Sequence, residues 1–77
     1  MMDDERRARL EQAAELLDRA ADELDQASAH CRTAARHFRD GEVPRAGAHA
    51  WAAHGHLREA IERLEQQARE HAQRSRP

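Results

Sequence analysis

Residues 10–38 read LEQAAELLDRAADELDQASAHCRTAARHF, and the apolar residues of this stretch recur every seven positions. We label its two apolar positions a and d, in the heptad notation used for coiled coils. Residues 43–64 carry the same repeat. The a set is Leu10, Leu17, Leu24, Cys31, Phe38, Val43, Ala50, Leu57 and Leu64, and the d set is Ala13, Ala20, Ala27, Ala34, Ala46, Ala53 and Ala60. An apolar heptad sustained over this length is typical of helices that pack along one stripe.

A turn sequence, DGEVP at residues 40–44, separates the two repeats. Glycine favours the left-handed conformation that ends many helices, and proline is tolerated in the first turn of a helix. The sequence therefore predicts an all-α, antiparallel two-helix hairpin with an alanine-rich, coiled-coil-like seam of a and d positions. We expect one domain, residues 1–77, with helix 1 at about 4–40, a turn at 41–43 and helix 2 at about 44–73.

Charge and composition exclude several classes of partner. The 13 basic residues nearly balance 15 acidic ones, and the formal net charge is −2. This balance gives no general attraction to nucleic acid or to an anionic membrane. No apolar run approaches the ~20 residues that span a bilayer, and the single cysteine fits a reducing compartment. We therefore expect a cytoplasmic protein without nucleic-acid or membrane partners.

Large apolar side chains are few for a chain of this length, so a lone hairpin is expected to be marginally stable. The first half of helix 2, AGAHAWAAHG at residues 46–55, is apolar on nearly every side, which is typical of a helix buried on every side. We expect a homodimeric four-helix bundle or, failing that, another protein that covers this surface. An alanine-rich helix with an exposed tryptophan is the alternative. The predicted contact residues are Trp51, Gly47, Ala48, Ala52, Gly55 and Ile61.

Four of the six histidines, His30, His37, His49 and His56, share heptad position g. In the predicted hairpin, His37 pairs across the helices with His49, His30 pairs with His56, and Glu23 pairs with Arg63. Two interpretations follow. The first is a seam of hydrogen-bonded histidines with no cofactor. The second is a transition-metal site for Zn, Ni or Cu, because imidazole is a common ligand for these ions.

Catalytic motifs are nearly absent, and we expect a protein that is not an enzyme. One weak pattern, Arg32 followed five residues later by His37, is similar to the Arg-x4-His signature of HEPN-type ribonucleases. That resemblance implies a helical dimer in which the histidine moves a proton and the arginine holds phosphate. It gives a low-ranking alternative function.

Residues 37–60, HFRDGEVPRAGAHAWAAHGHLREA, resemble a short archaeal helical family known only as a domain of unknown function. The matching residues are His37, Phe38, Gly41, Glu42, Val43, Ala46, Ala53, His54, Gly55 and Leu57. This resemblance implies a small helical bundle and supplies no activity. The function we expect is therefore association, with itself or with a partner protein.

Overall fold

The computed structural model describes residues 2–74, which form two helices and no strand: α1 over Met2–Arg39 and α2 over Val43–Arg74. The predicted all-α hairpin is confirmed. Both helices extend slightly beyond the expected bounds at their outer ends, and the turn occupies residues 40–42. Residues 1 and 75–77 of the predicted domain lie outside the described part. Neither helix combines the length and apolar character needed to cross a membrane within residues 2–74.

The turn is closed by a glycine-centred C-cap. Gly41 has a φ of 76°, the left-handed conformation, and the amide of Glu42 donates to the carbonyl of His37 at 2.8 Å. The amide of Gly41 donates to the carbonyl of Phe38 at 3.1 Å, which completes a Schellman motif. The Glu42 carbonyl then accepts the first hydrogen bond of α2, from the Ala46 amide. The backbone of Glu42 thus donates to the end of the first helix and accepts from the start of the second.

The core between the helices is made almost entirely of alanine. The buried side chains are Leu16, Ala20, Ala34, Ala46, Ala53 and Ala60, and Ala46 and Ala60 are completely inaccessible. Except for Leu16 at position g, all of them occupy position d. Because alanine is small, the two helix backbones can approach closely along this line, in a Cα envelope of 60 × 21 × 12 Å.

The predicted placement of position a in this seam is wrong. All nine a residues are exposed, including Cys31. Positions d and g face the other helix instead. A contact between two helices covers only one stripe of each, whereas the apolar residues of this chain continue from d across a to e. The heptad periodicity predicts this broad apolar surface but does not determine which part of it packs against the other helix of the hairpin.

The exposed a residues lie on one side of the hairpin. Around either helix the positions follow in the order g, d, a, e, and in this antiparallel pair the g residues of α1 contact the g residues of α2. Position a therefore lies on the side of d away from g in both helices. We call this surface the leucine face; it consists of Leu10, Leu17, Leu24, Cys31, Phe38, Val43, Ala50, Leu57 and Leu64.

Candidate functional site

The four g-position histidines form a ladder across the inter-helix seam. Their rings follow one another in the order His37, His49, His30, His56, alternating between α1 and α2. Successive ring centroids are 5.4, 5.2 and 5.4 Å apart, and the two outer contacts are stacked. Both cross-helix pairs expected from the sequence are confirmed, and a third contact, between His30 and His49, joins them into one series.

Hydrogen bonds tie this ladder together at its centre and at both ends. The Nδ1 atoms of His30 and His49 lie 3.0 Å apart, so one ring donates and the other accepts. At one end His37 Nδ1 donates to Glu42 Oε2 at 2.9 Å, and at the other His56 Nδ1 donates to Glu23 Oε1 at 3.0 Å. The Nδ1 atoms of all four histidines are therefore engaged in the fold.

The partner expected for Glu23 was wrong. Glu23 bonds His56, whereas Arg63 forms an ion pair with Glu59 on its own helix, with a separation of 3.4 Å. The long side chain of Arg63 reaches Glu59 one turn earlier on α2, and ion pairs at this i,i+4 spacing are favourable on a helix. The same carboxylate that accepts from His37 lies 3.7 Å from Arg45 Nη1, so Glu42 links the ladder to the start of α2.

A structural role for the ladder accounts for these contacts. Within residues 2–74, no group of three or more His, Cys, Asp or Glu side chains is arranged to hold a metal ion. No buried side-chain nitrogen or oxygen in the same part of the chain lacks a hydrogen-bond partner. A polar network that is satisfied in one alignment specifies that alignment, because sliding either helix would leave its members unpaired.

The leucine face is the second feature of the molecule. Its large side chains are about half exposed, from 42% for Leu57 and Leu64 to 59% for Val43. In contrast, Leu16 is the only large apolar side chain among the buried residues of the described chain. The hairpin therefore leaves its bulky apolar side chains outside and fills its own seam with alanine.

The six contact residues expected from the sequence lie at different distances from this face. Gly47 and Ile61 occupy position e, directly beside it. Trp51, at position b, is 75% exposed and stacks on His54 with ring centroids 5.3 Å apart. The other three, Ala48, Ala52 and Gly55, lie further around α2. The a-position residues were not among the expected contact residues because the heptad pattern predicts them in the hairpin seam.

The arginine and histidine of the ribonuclease-like pattern do not converge within one chain. Arg32 is exposed, and its Nη1 donates to Ser28 Oγ at 2.7 Å. His37 is half-buried in the ladder. Five residues along a helix correspond to roughly 140° around its axis, so the two side chains lie on different faces.

The chain matches no known protein family, no curated protein and no solved structure. The resemblance of residues 37–60 to the archaeal family therefore stays a prediction. The histidine ladder and the leucine face are the features from which a function can be inferred.

Proposed function

We propose that this protein is a non-catalytic association module in which two hairpins pack leucine face against leucine face as a four-helix bundle. The observation that carries the proposal is the exposure of every a-position residue in the isolated hairpin. Four-helix bundles require each helix to contact two neighbours. Here d and g supply one contact, and a and e remain for the other.

The size of the leucine face supports this reading. Seven of its nine residues are large apolar side chains, and each of these is 42–59% exposed in the hairpin. Water contact at so many leucines is costly, at about 25 cal/mol per Å² of apolar surface. Covering the face supplies the burial that the alanine seam lacks.

A second copy of this chain is the occupant that the face fits best. The face carries no charged side chain among its nine members, and its leucines recur at the spacing with which another heptad helix interdigitates. In such a bundle Gly47 and Ile61 lie within the contact and Trp51 lies at its rim. A different partner protein of matching apolar pattern is the competing outcome.

The other functions expected from the sequence receive less support. The His30–His49 pair offers two nitrogen donors, whereas a closed transition-metal site usually has four ligands. Arg32 and His37 share no site within one chain, which leaves the ribonuclease alternative without a geometry. We therefore retain association as the proposed function and treat metal binding and RNA cleavage as outcomes to be tested.

The test is the mass of the protein in solution, measured by native mass spectrometry and sedimentation over a wide concentration range. We expect a species of twice the 8.8 kDa chain mass without bound metal. Leu24→Glu places a charge on the leucine face and should abolish that species. Ala29→Glu is the matched control, since it adds the same charge to an exposed site of α1 away from the face. A wild-type chain that stays monomeric and cooperatively folded at high concentration would overturn the proposal.

A further inference from the structure

We infer that the two hairpins pack head to tail, with their turns at opposite ends of the bundle and the two-fold axis crossing the layer formed by Leu24 and Leu57. This inference rests on the proposed dimer and adds its orientation and register. Two isologous arrangements are available to a face of this shape: turns at the same end, or turns at opposite ends. Residue size and charge along the face distinguish them.

Together with His71, which also stands at position a, the nine residues of the face form five layers, each with one residue from either helix. Leu10 and His71 line a common depression with Ala13 and Gln67, which sets the first layer. Steps of seven residues along both helices give the rest. In order along the hairpin the layers are Leu10 with His71, Leu17 with Leu64, Leu24 with Leu57, Cys31 with Ala50, and Phe38 with Val43.

The fourth layer is a notch, because Cys31 and Ala50 are far smaller than their neighbours in the stripe. With the turns at the same end, each layer meets its own copy, and the notch faces a second notch. That arrangement leaves a void in the fourth layer of the bundle, and cavities are destabilising. With the turns at opposite ends, the notch receives Leu17 and Leu64 of the second copy. Every layer then contains at least two large side chains.

Charge along α1 favours the same orientation. Between residues 10 and 25, α1 carries six acidic side chains and one arginine, whereas residues 26–39 carry three arginines and no acid. In the head-to-tail dimer α1 lies against its own copy, running in the opposite direction. At position b beside the contact, Asp18 then lies opposite Arg32 of the second copy, and Glu11 lies opposite its Arg39. Each of these pairs occurs twice.

The same-end arrangement is less complementary. It places α1 against α2 of the second copy, where Asp18 would approach Glu65 and Asp25 would approach Arg58, so that one repulsive pair offsets each attractive pair. The head-to-tail dimer has like-charge approaches only at the two-fold axis, Asp25 with Asp25 and Arg58 with Arg58. These residues are exposed and can turn into solvent, so the repulsion is small.

Cysteine crosslinking tests the orientation, with the full chain and a short bis-maleimide. In the head-to-tail dimer position 17 of one copy lies beside Cys31 of the other, so Leu17→Cys should give a covalent dimer linked between positions 17 and 31. Leu17→Cys combined with Cys31→Ala should give none, because the two positions 17 are then separated by 14 residues, or about 21 Å. Leu24→Cys with Cys31→Ala serves as the positive control, since the two positions 24 lie in one layer in both arrangements, directly opposed in the head-to-tail dimer and diagonal across the bundle in the other.

The outcomes separate the orientation from the dimer itself. A link between positions 17 and 31, identified by peptide mass spectrometry, supports the inference. Crosslinking of Leu17→Cys, Cys31→Ala to itself overturns it in favour of turns at the same end and leaves the dimer intact. Absence of any link at position 24, together with a monomeric native mass, overturns the proposed function as well.

Discussion

Truncation of two leucines on the same helix should show whether the leucine face is buried in solution. Leu16 is 6% exposed in the seam, whereas Leu24 is 43% exposed on the leucine face. In a lone hairpin, Leu24→Ala would lose only the packing of a half-buried side chain, about 1 kcal/mol at ~2 kcal/mol for full burial of leucine. Leu16→Ala removes a buried side chain and should cost about 3–5 kcal/mol.

The dimer changes this ratio. If a second copy covers Leu24, its truncation loses the remaining burial and opens a cavity, so its cost rises to about 3 kcal/mol per chain. Two substituted chains then lose about 4 kcal/mol more than two lone hairpins would, which corresponds to roughly 10³-fold weaker association. The two truncations should therefore lower the free energy of unfolding of the dimer by comparable amounts. Only Leu24→Ala should do so mainly by raising the dissociation constant of the dimer.

The assay is urea denaturation followed by circular dichroism at several protein concentrations, with sedimentation equilibrium for the dissociation constant. For a dimer, the unfolding midpoint of the wild type rises with concentration. A cost of only about 1 kcal/mol for Leu24→Ala beside a strongly destabilising Leu16→Ala, with midpoints independent of concentration, would refute the reasoning. That result would mean that the leucine face remains in water.

Three further predictions concern the seam, the turn and the histidines. Ala60→Leu adds bulk to a completely inaccessible seam position and should lower the free energy of unfolding by about 1–3 kcal/mol, whereas Ala29→Leu on the exposed surface should be nearly neutral in the same urea titration. Gly41→Ala should lower the free energy of unfolding by about 1 kcal/mol, because φ is 76° at this residue. Gly55→Ala should raise it by about 0.5–1 kcal/mol, since an added Cβ meets no atom within 4 Å in the middle of a helix. Thermal melts in which both substitutions shift the melting temperature in the same direction would contradict the role of Gly41 as the cap. His49→Ala removes the contacts of His49 with His30 and His37 and should lower the free energy of unfolding by about 1–2 kcal/mol. Equimolar zinc should leave the melting temperature of the wild type unchanged. A zinc-dependent rise in melting temperature that His49→Ala abolishes would instead support the metal-site hypothesis.

Local signals in the chain were sufficient for its secondary structure and its turn. The heptad repeat of residues 10–38 predicts the long first helix, and Gly41 and Pro44 predict where the two helices meet. These features depend on neighbouring residues only, so backbone conformation and capping determine them without knowledge of the rest of the fold. The pairing of His37 with His49 and of His30 with His56 also followed, because an antiparallel pair brings like heptad positions together.

The side-chain partners within the ladder were less predictable. The sequence placed Glu23 beside Arg63, but Glu23 accepts from His56, and the central hydrogen bond joins His30 to His49. Each of these residues has two candidates within reach across the seam, one on either side along the helix. Choosing between them depends on side-chain rotamers and on competing partners such as Glu59, which takes Arg63.

What the sequence by itself determined is therefore the two helices, their antiparallel order and the histidine pairs across them. Only the tertiary structure decided which stripe of each helix forms the seam. Alanine at d and leucine at a are both apolar, and their periodicity is identical, so the pattern cannot rank one above the other. Packing selects position d for the seam, because alanine allows the two backbones to approach and the histidines at position g can then bond across the helices. The leucines of position a are consequently left on the outside, where they form the surface on which the proposed function depends.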